Sequence, residues 1–184
     1  ALNQAGALVH VYTDGSVHLN HGGTEMGQGL FVKVAQVVAT EFQIDIDNIK
    51  ISSTRTDKVP NTSATAASSG SDLNGMAAYD ATNKIKTRMT RVAAGHFGVA
   101  PEEIEFRQNR VYAGNESLSF AEAAQMTWEQ RESLSATGYY QTPDIHWDPI
   151  TCTGSPFYYF SYGVAVSEVV IDTLTGENRI LRTD

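Results

Sequence analysis

Residues 7–30 read ALVHVYTDGSVHLNHGGTEMGQGL, and this stretch contains two structural signals in succession. Apolar residues alternate on both sides of Asp14-Gly15, a dipeptide that favours tight turns, so the first half predicts a β-hairpin. The second half, HGGTEMGQGL, has four glycines and no Lys or Arg. A helical pattern follows from Gln28 to about Phe42, because apolar residues recur there at spacings of three and four.

The glycine-rich stretch before this helix favours close contact between the backbone and a ligand. Glycines let backbone amides approach a ligand without an obstructing Cβ, and a helix N-terminus offers its amides to an anion. Gln28 adds an uncharged side chain that can both donate and accept hydrogen bonds. A tight strand-to-helix connection explains the same composition equally well. The order of the glycines and the missing lysine exclude a dinucleotide fingerprint and a P-loop.

A second segment of small residues, SATAASSGS at residues 63–71, precedes another predicted helix. Its short side chains and hydroxyl groups allow a ligand to approach closely, and the following helix adds the positive end of its dipole. A flexible Ser/Ala loop is the commoner explanation of such composition. Two such segments, each before a helix, favour a shared anion site more than either does alone.

Strands and helices alternate irregularly along the chain, which predicts an α+β fold. Apolar positions from Leu73 to Val92 repeat at helical spacing, and Asp72 is predicted to cap this long helix at its N-terminus. Ser119 and Glu122 have the spacing of a capping box and predict a further helix.

The C-terminal part of the chain is predicted to be mostly β-structure. Residues 144–156 are expected to form an irregular loop. The aromatic run at 157–162 could border a planar substrate, but it is expected to belong to the core. The turn sequence DTLTGE at residues 172–177 is expected to join two final strands.

Composition limits the classes of function. The chain has 184 residues, a formal net charge of -8 and a pI of about 5.0, so a general nucleic-acid surface is not expected. The single cysteine, Cys152, cannot form an intrachain disulfide and favours a reducing, cytoplasmic compartment. The sequence has no apolar run long enough to span a membrane.

No other residues predict a metal site or a hydrolase. The five histidines lack the helical spacing of metal ligands, and His10, His18 and His21 are interpreted as structural or surface residues. Glu25 and Glu168 are candidate buried carboxylates, but neither has an obvious partner acid. The sequence therefore predicts no catalytic residue and no protein-ligated metal within the chain.

Three stretches resemble the xanthine dehydrogenases of the molybdenum hydroxylase family. They are residues 2–30, VPNTSATAAS at 59–68, and YFSYGVAVSEVVIDTLTGENRILRTD at 159–184. The resemblance runs from end to end, and GGTEMGQG is highly specific for the family. Residues 1–184 are therefore expected to be a fragment of the molybdopterin-binding domain, incomplete at both ends.

The resemblance implies which residues contact the cofactor, a molybdenum ion held by the dithiolene of a pterin. In the family, the glutamine matching Gln28 lies beside the cofactor and the alanine matching Ala67 faces the molybdenum. The implied cofactor-binding residues are Met26, Gly27, Gln28, Thr65, Ala66, Ala67 and Ser68.

The resemblance also implies the reaction and its partners. The family enzyme hydroxylates a purine, xanthine or hypoxanthine, with oxygen from water, and passes electrons through 2Fe-2S clusters and FAD to NAD+. Those groups, the general base and the purine-orienting residues are expected elsewhere in the enzyme, which is a dimer or heterotetramer. The isolated fragment is expected to be inactive.

Two alternatives remain open on the sequence. One is another molybdenum hydroxylase that acts on aldehydes or N-heterocycles. The other is a non-catalytic module that binds an anion or nucleotide through the two small-residue segments.

Overall fold

The computed structural model describes residues 2–58, 62–66, 68–160 and 162–184. The chain divides into two compact units, Ala1–Pro143 and Asp144–Asp184. Helices and several small sheets are mixed, so the predicted α+β class is confirmed. In chain order the elements are β1 (Gln4–Val11), β2 (Val17–His21), α1 (Leu30–Phe42), β3 (Ile49–Ile51), α2 (Gly70–Phe97), β4 (Ile104–Arg107), β5 (Arg110–Ala113), β6 (Glu116–Ser119), α3 (Phe120–Glu129), β7 (Ser135–Gln141), β8 (His146–Asp148), β9 (Thr153–Ser155), β10 (Ser167–Ile171) and β11 (Asn178–Thr183).

The main sheet of the first unit has the strand order β3-β2-β1-β7. The predicted hairpin is confirmed, because β1 and β2 pair antiparallel with Val11 opposite Val17. At the turn, the Asp14 carboxylate accepts the Ser16 N–H at 2.9 Å. β7 pairs antiparallel with the other edge of β1, and β3 lies parallel to β2.

Helices α1 and α2 supply much of the core. In α1 the apolar stripe is buried as predicted at Val34, Val38 and Phe42, but the helix begins at Leu30, two residues after Gln28. Gly29 precedes it in a left-handed conformation, with φ of 76°, which separates the glycine stretch from the helix.

Small residues allow α2 to lie directly against β7. Ala77 and Ala81 of α2 are fully buried, and Gly138 of β7 faces them. A Cβ at Gly138 would collide with the Ala77 carbonyl oxygen and the Ala81 backbone nitrogen. Glycine is therefore required here by close approach of a helix backbone to a strand.

The sequence predicted the N-terminal cap correctly for α3 but not for α2. Helix α2 begins at Gly70 after Ser69, so Asp72 lies within the first turn and its predicted capping role is wrong. In α3 the predicted capping box is confirmed, since the Ser119 hydroxyl accepts the Glu122 N–H at 3.1 Å and Glu122 accepts the Ser119 N–H at 2.7 Å.

A three-stranded antiparallel sheet, β4-β5-β6, completes the first unit. Phe106 and Val111 from this sheet join the main core, and the Phe106 ring packs 6.5 Å from the Phe120 ring. Phe120 in turn lies 5.2 Å from Phe42, which connects the small sheet to α1.

The second unit consists of two hairpins. The pair β10-β11 confirms the two predicted C-terminal strands. Residues 144–156 were predicted to be irregular, but β8 and β9 form a short antiparallel pair there. The aromatic run was predicted to be core, yet its described side chains are exposed, including Phe160 at 62% and Tyr162 at 93%. Aromatic residues in a sequence predict burial, but the sequence does not show which surface buries them. No described residue of this unit is buried.

Candidate functional site

Two loops of the first unit meet at one cleft. The glycine loop comprises residues 22–29, and the serine loop comprises the described residues 62–66, 68 and 69. They are joined directly, because the Thr24 N–H donates to the Thr65 hydroxyl oxygen at 2.9 Å. The cleft has a volume of about 320 Å³ and is lined by Met26, Gln28, Leu30, Lys33, Thr65, Ala66, Ser68, Gly70 and Ser71.

The structure brings together most of the residues expected to bind the cofactor. Five of the seven line the cleft: Met26, Gln28, Thr65, Ala66 and Ser68. Gly27 lies between two of them, and its φ of 97° is a conformation that side chains rarely adopt. Ala67 lies outside the described residues.

Glu25 is exposed, so the prediction that it is a buried carboxylate is wrong; Glu168 is exposed as well. One Glu25 carboxylate oxygen accepts the Gly27 N–H at 2.9 Å and the Gly29 N–H at 3.0 Å. The other accepts the Phe31 N–H at 3.0 Å. These backbone donors, that of Phe31 first, hold the pKa of Glu25 below its ordinary value. The N-terminus of α1 is thus occupied by an anion from its own loop.

The Gln28 side chain is folded into the glycine loop. Its carbonyl oxygen accepts the Met26 N–H at 2.6 Å, and its amide nitrogen donates to the Thr24 carbonyl at 2.8 Å. A carboxamide has two N–H donors and an oxygen with two lone pairs. One donor and one lone pair therefore remain for a ligand in the cleft.

No side chain caps the amides at the N-terminus of α2, in contrast to α1, although Asp72 lies in its first turn. Ser69 precedes the helix, but its hydroxyl donates to the Ala66 carbonyl at 2.8 Å and caps no amide. The first intrahelical bond comes from the Leu73 N–H to the Ser69 carbonyl, at 3.2 Å. The amides of the first turn have no partner four residues back in the helix, as at any helix start, and are available to a ligand.

Lys33 is a cleft residue that sequence reasoning missed. The glycine-rich stretch itself has no basic residue, yet Lys33 reaches the cleft from the first turn of α1. The signal was its spacing, because residues three apart on a helix share a face, and Lys33 is three residues after Leu30, which also lines the cleft. The ammonium group gives the cleft a positive charge suited to an anion.

His21 has a structural environment, as predicted. It is 1% exposed, its Nδ1 accepts the Gly23 N–H at 3.1 Å, and its ring meets Phe31 edge-on. Burial, opposed only in part by Asn74 and Glu25, lowers the pKa of His21 to about 4, so the ring is neutral near pH 7. His10 and His18 stack across β1 and β2 with ring centroids 5.9 Å apart.

The described residues place limits on other kinds of site. Within them, no three or more His, Cys, Asp or Glu side chains are grouped so that they could hold a metal ion. No helix in the described ranges is long and apolar enough to cross a membrane.

A sequence family described as the molybdopterin cofactor-binding domain matches residues 1–184. Xanthine dehydrogenase of Oryza sativa subsp. japonica is 51% identical over 176 residues, which cover 96% of this chain. Xanthine dehydrogenase/oxidase of Felis catus is 49% identical over 183 residues, and the Dictyostelium discoideum xanthine dehydrogenase is 46% identical over 186; each alignment covers 100% of the chain. The chain spans 12% of the length of each of these curated relatives.

Solved structures show the same fold. Reconstituted CO dehydrogenase from Oligotropha carboxidovorans superposes with a TM-score of 0.77 at 25% identity, over 99% of this chain and 22% of that one. Quinoline 2-oxidoreductase from Pseudomonas putida 86 gives 0.72 at 19% identity, over 98% of this chain and 22% of that one. The chain belongs to the molybdopterin cofactor-binding domain family.

The cleft has the chemistry that this cofactor requires. Molybdopterin is bulky, rich in oxygens and anionic through its phosphate, whereas the cleft combines short side chains, hydroxyl groups, a carboxamide and Lys33. A pterin dithiolene supplies its own sulfur ligands to the molybdenum, so the chain needs no metal-ligating cluster. The residues present therefore fit the group.

Proposed function

We propose that the chain forms one wall of the molybdenum-cofactor site of a xanthine dehydrogenase that hydroxylates xanthine or hypoxanthine. The observation that supports this most is the convergence of the glycine loop and the serine loop on one cleft. The similarity to xanthine dehydrogenases along the whole chain favours the purine substrate over an aldehyde.

In this proposal the residues of the chain bind and orient the cofactor. The hydroxyl groups of Thr65 and Ser68 and the remaining N–H of Gln28 donate to its oxygens. The first-turn amides of α2 and the Lys33 ammonium compensate the charge of its phosphate. The small residues Gly27 and Ala66 leave room for the pterin, Met26 lines the same cleft, and Ala67 is proposed from the resemblance to face the molybdenum.

The bound cofactor supplies the oxidation of a purine carbon with oxygen taken from water. The chain provides the shape and electrostatics of one side of the site, and no general base is assigned to it. The base, the purine-orienting side chains, FAD, the 2Fe-2S clusters and the NAD site are proposed for other parts of the same cytoplasmic enzyme, a dimer or heterotetramer. Residues 1–184 are thus proposed to be one fragment of its molybdopterin-binding domain.

The exposed apolar surface of the second unit also favours the presence of other parts of the enzyme. Its strands β10 and β11 expose apolar side chains, among them Val169 at 50%, Ile171 at 60% and Ile180 at 65%. Isolated two-stranded hairpins are marginally stable in water, and exposed apolar patches of this kind mark interaction sites. We therefore propose that the rest of the enzyme covers this unit.

The test uses the full-length enzyme and a substitution that fills the cleft. Ala66 is exposed and lines the cleft, so Ala66→Phe is expected to exclude the pterin while leaving the core intact. Ala100→Phe changes another exposed alanine, outside the cleft, and is the matched control. Gly27→Leu is less suitable, because the φ of 97° at Gly27 adds backbone strain to the added bulk.

Molybdenum content and turnover of xanthine and benzaldehyde are measured on each protein. We expect the wild type and Ala100→Phe to contain molybdenum and to prefer xanthine, and Ala66→Phe to lose most of both. A preference for benzaldehyde would favour the aldehyde-oxidising alternative. Near-zero molybdenum with a bound nucleotide in the wild type would favour the non-catalytic module. Full molybdenum in Ala66→Phe would show that the site is misplaced.

A further inference from the structure

The glycine loop is held in shape by side chains of its own residues. From Thr24 to Gly29 the loop contains neither helix nor strand, and α1 begins at Leu30. Glu25 accepts three backbone N–H groups across this stretch, at 2.9–3.0 Å. Left-handed conformations at Gly27 and Gly29, with φ of 97° and 76°, let the chain curl around one carboxylate.

We infer that Glu25 is a positioning residue, whose carboxylate holds the glycine loop in the shape that presents Met26 and Gln28 to the cofactor. The inference rests on the proposed function for the identity of the ligand. Glu25 is absent from the residues that line the cleft, whereas Met26 and Gln28 on either side of Gly27 line it. Glu25 therefore acts on the cofactor through the loop and not by contact.

The same carboxylate also directs an anionic ligand away from α1. The sequence predicted a shared anion site at two helix N-termini, but at α1 the amide donors of Gly29 and Phe31 already bind Glu25. A second anion there would be repelled by the carboxylate. At α2 the Asp72 carboxylate lies in the first turn, but no side chain caps the helix amides, so the anionic part of the ligand is expected on the serine-loop side.

Substitution of Glu25 by glutamine separates charge from size. A carboxamide of the same shape has one acceptor oxygen, and its NH₂ group would face at least one of the three N–H donors. One backbone donor would then lack an acceptor, so the glycine loop is expected to become more mobile. The fold of the sheet and helices is expected to be unaffected. Hydrogen bonds from backbone N–H groups to a carboxylate are about twice as strong as neutral ones, so the effect is large enough to measure.

Glu122 provides a matched control within the same chain. It is also an exposed glutamate that accepts a backbone N–H at a helix N-terminus, that of Ser119 at 2.7 Å, but it belongs to α3. Glu122→Gln keeps one acceptor oxygen for the two Ser119 donors, so it is expected to lower the melting temperature no more than Glu25→Gln. Only Glu25→Gln is expected to affect the cofactor, so a merely structural role is distinguished from a positioning role.

Both variants are made in the full-length enzyme, and two quantities are measured. The first is the rate of molybdenum loss on dialysis, which we expect to rise roughly tenfold or more in Glu25→Gln, as for residues that orient a metal site at one remove. The second is amide hydrogen exchange of residues 26–31 in enzyme stripped of cofactor, which we expect to be faster in Glu25→Gln alone.

Each outcome decides the inference. Molybdenum loss no faster in Glu25→Gln than in Glu122→Gln would overturn the positioning role while leaving the proposed function intact. Unchanged exchange over residues 26–31 would overturn it too, since the carboxylate would then not hold the loop. Wild-type enzyme without molybdenum would overturn the proposed function, and the exchange comparison alone would then decide what Glu25 does for the loop.

Discussion

Phe42 and Phe160 have the same side chain in two contrasting units of the chain. Phe42, the last residue of α1, is 0% exposed and packs against the Phe120 ring in the first unit, whereas Phe160 in the second unit is 62% exposed. The first unit carries its own core, formed by its two sheets and three helices. The second unit displays similar apolar residues on hairpins that bury none of them among the residues described there. Apolar composition alone thus does not tell a core from a surface that awaits a covering partner.

The largest expected difference between the two units is the loss of stability when each of these phenylalanines is replaced by alanine. Phe42→Ala is expected to lower the free energy of unfolding of the chain by about 3–5 kcal/mol, because it leaves a cavity in a packed core. Phe160→Ala removes an exposed ring and is expected to change it by about 0.5 kcal/mol or less. Denaturant unfolding followed by circular dichroism measures both.

The comparison between the units fails if the two variants are equally destabilised. It is sharpened in the full-length enzyme, where the proposed covering of the second unit predicts that Phe160→Ala becomes more costly than in the isolated chain. Phe42→Ala is expected to cost the same in both contexts, because its surroundings belong to the first unit.

The pH dependence of stability is the second way to distinguish the two units, because the first unit contains a buried histidine, His21. The pKa of His21 is lowered by burial from 6.5 to about 4. Between these two values the unfolded chain binds a proton that the folded chain does not, so stability falls as pH falls from about 6.5 and the loss is complete near pH 4. The shift corresponds to roughly 3 kcal/mol at most.

His21→Gln is expected to abolish this part of the pH dependence, leaving a flatter stability profile between pH 6.5 and 4. His146→Gln in the second unit changes an exposed side chain and is the control, expected to keep the wild-type profile. Carboxylates with lowered pKa values, such as Asp14 and Glu122, contribute equally to all three proteins and cancel in the comparison. Parallel profiles for wild type and His21→Gln would contradict the burial of a neutral ring.

Local signals in the sequence predicted most of the first unit. The hairpin at Asp14-Gly15 and the capping box at Ser119 depend on residues close in the chain, so their patterns were sufficient. The start of α2 was misjudged because Ser69, Gly70 and Asp72 are all plausible at a helix start, and tertiary contacts decide among them.

The site was only partly accessible from the sequence. The two small-residue loops were identified, but three details depend on the folded chain: the Thr24–Thr65 hydrogen bond, the return of Glu25 to its own loop amides and the reach of Lys33 into the cleft. The exposed aromatic run of the second unit was predicted as core because a sequence shows hydrophobicity without showing what covers it.

A third comparison uses two glycines, one from each unit. Gly138→Ala forces a methyl group against the backbone of α2 and is expected to destabilise the chain by about 1–3 kcal/mol. Gly163→Ala meets nothing within 4 Å and has no positive φ, so a change of about 0.5 kcal/mol or less is expected. Thermal unfolding of both variants checks this, and an unaffected Gly138→Ala would mean that α2 does not pack directly on β7.

The smallest expected effect lies on the surface of the packed unit and has the opposite sign. Gly95 is an exposed residue of α2, and a Cβ there would meet nothing within 4 Å. Because glycine in a helix costs conformational entropy relative to alanine, Gly95→Ala is expected to stabilise the chain by about 0.5–1 kcal/mol. A rise in the denaturant midpoint with an unchanged slope is the expected measurement. Gly95 and Gly138 belong to the same helix–sheet layer, but only at Gly138 would an added Cβ meet backbone atoms of another element. Opposite signs for the two substitutions would therefore show that the local contacts of a glycine, and not its presence in the packed unit, decide the effect. Destabilisation by Gly95→Ala would instead place the end of α2 in a tighter environment than its exposure indicates.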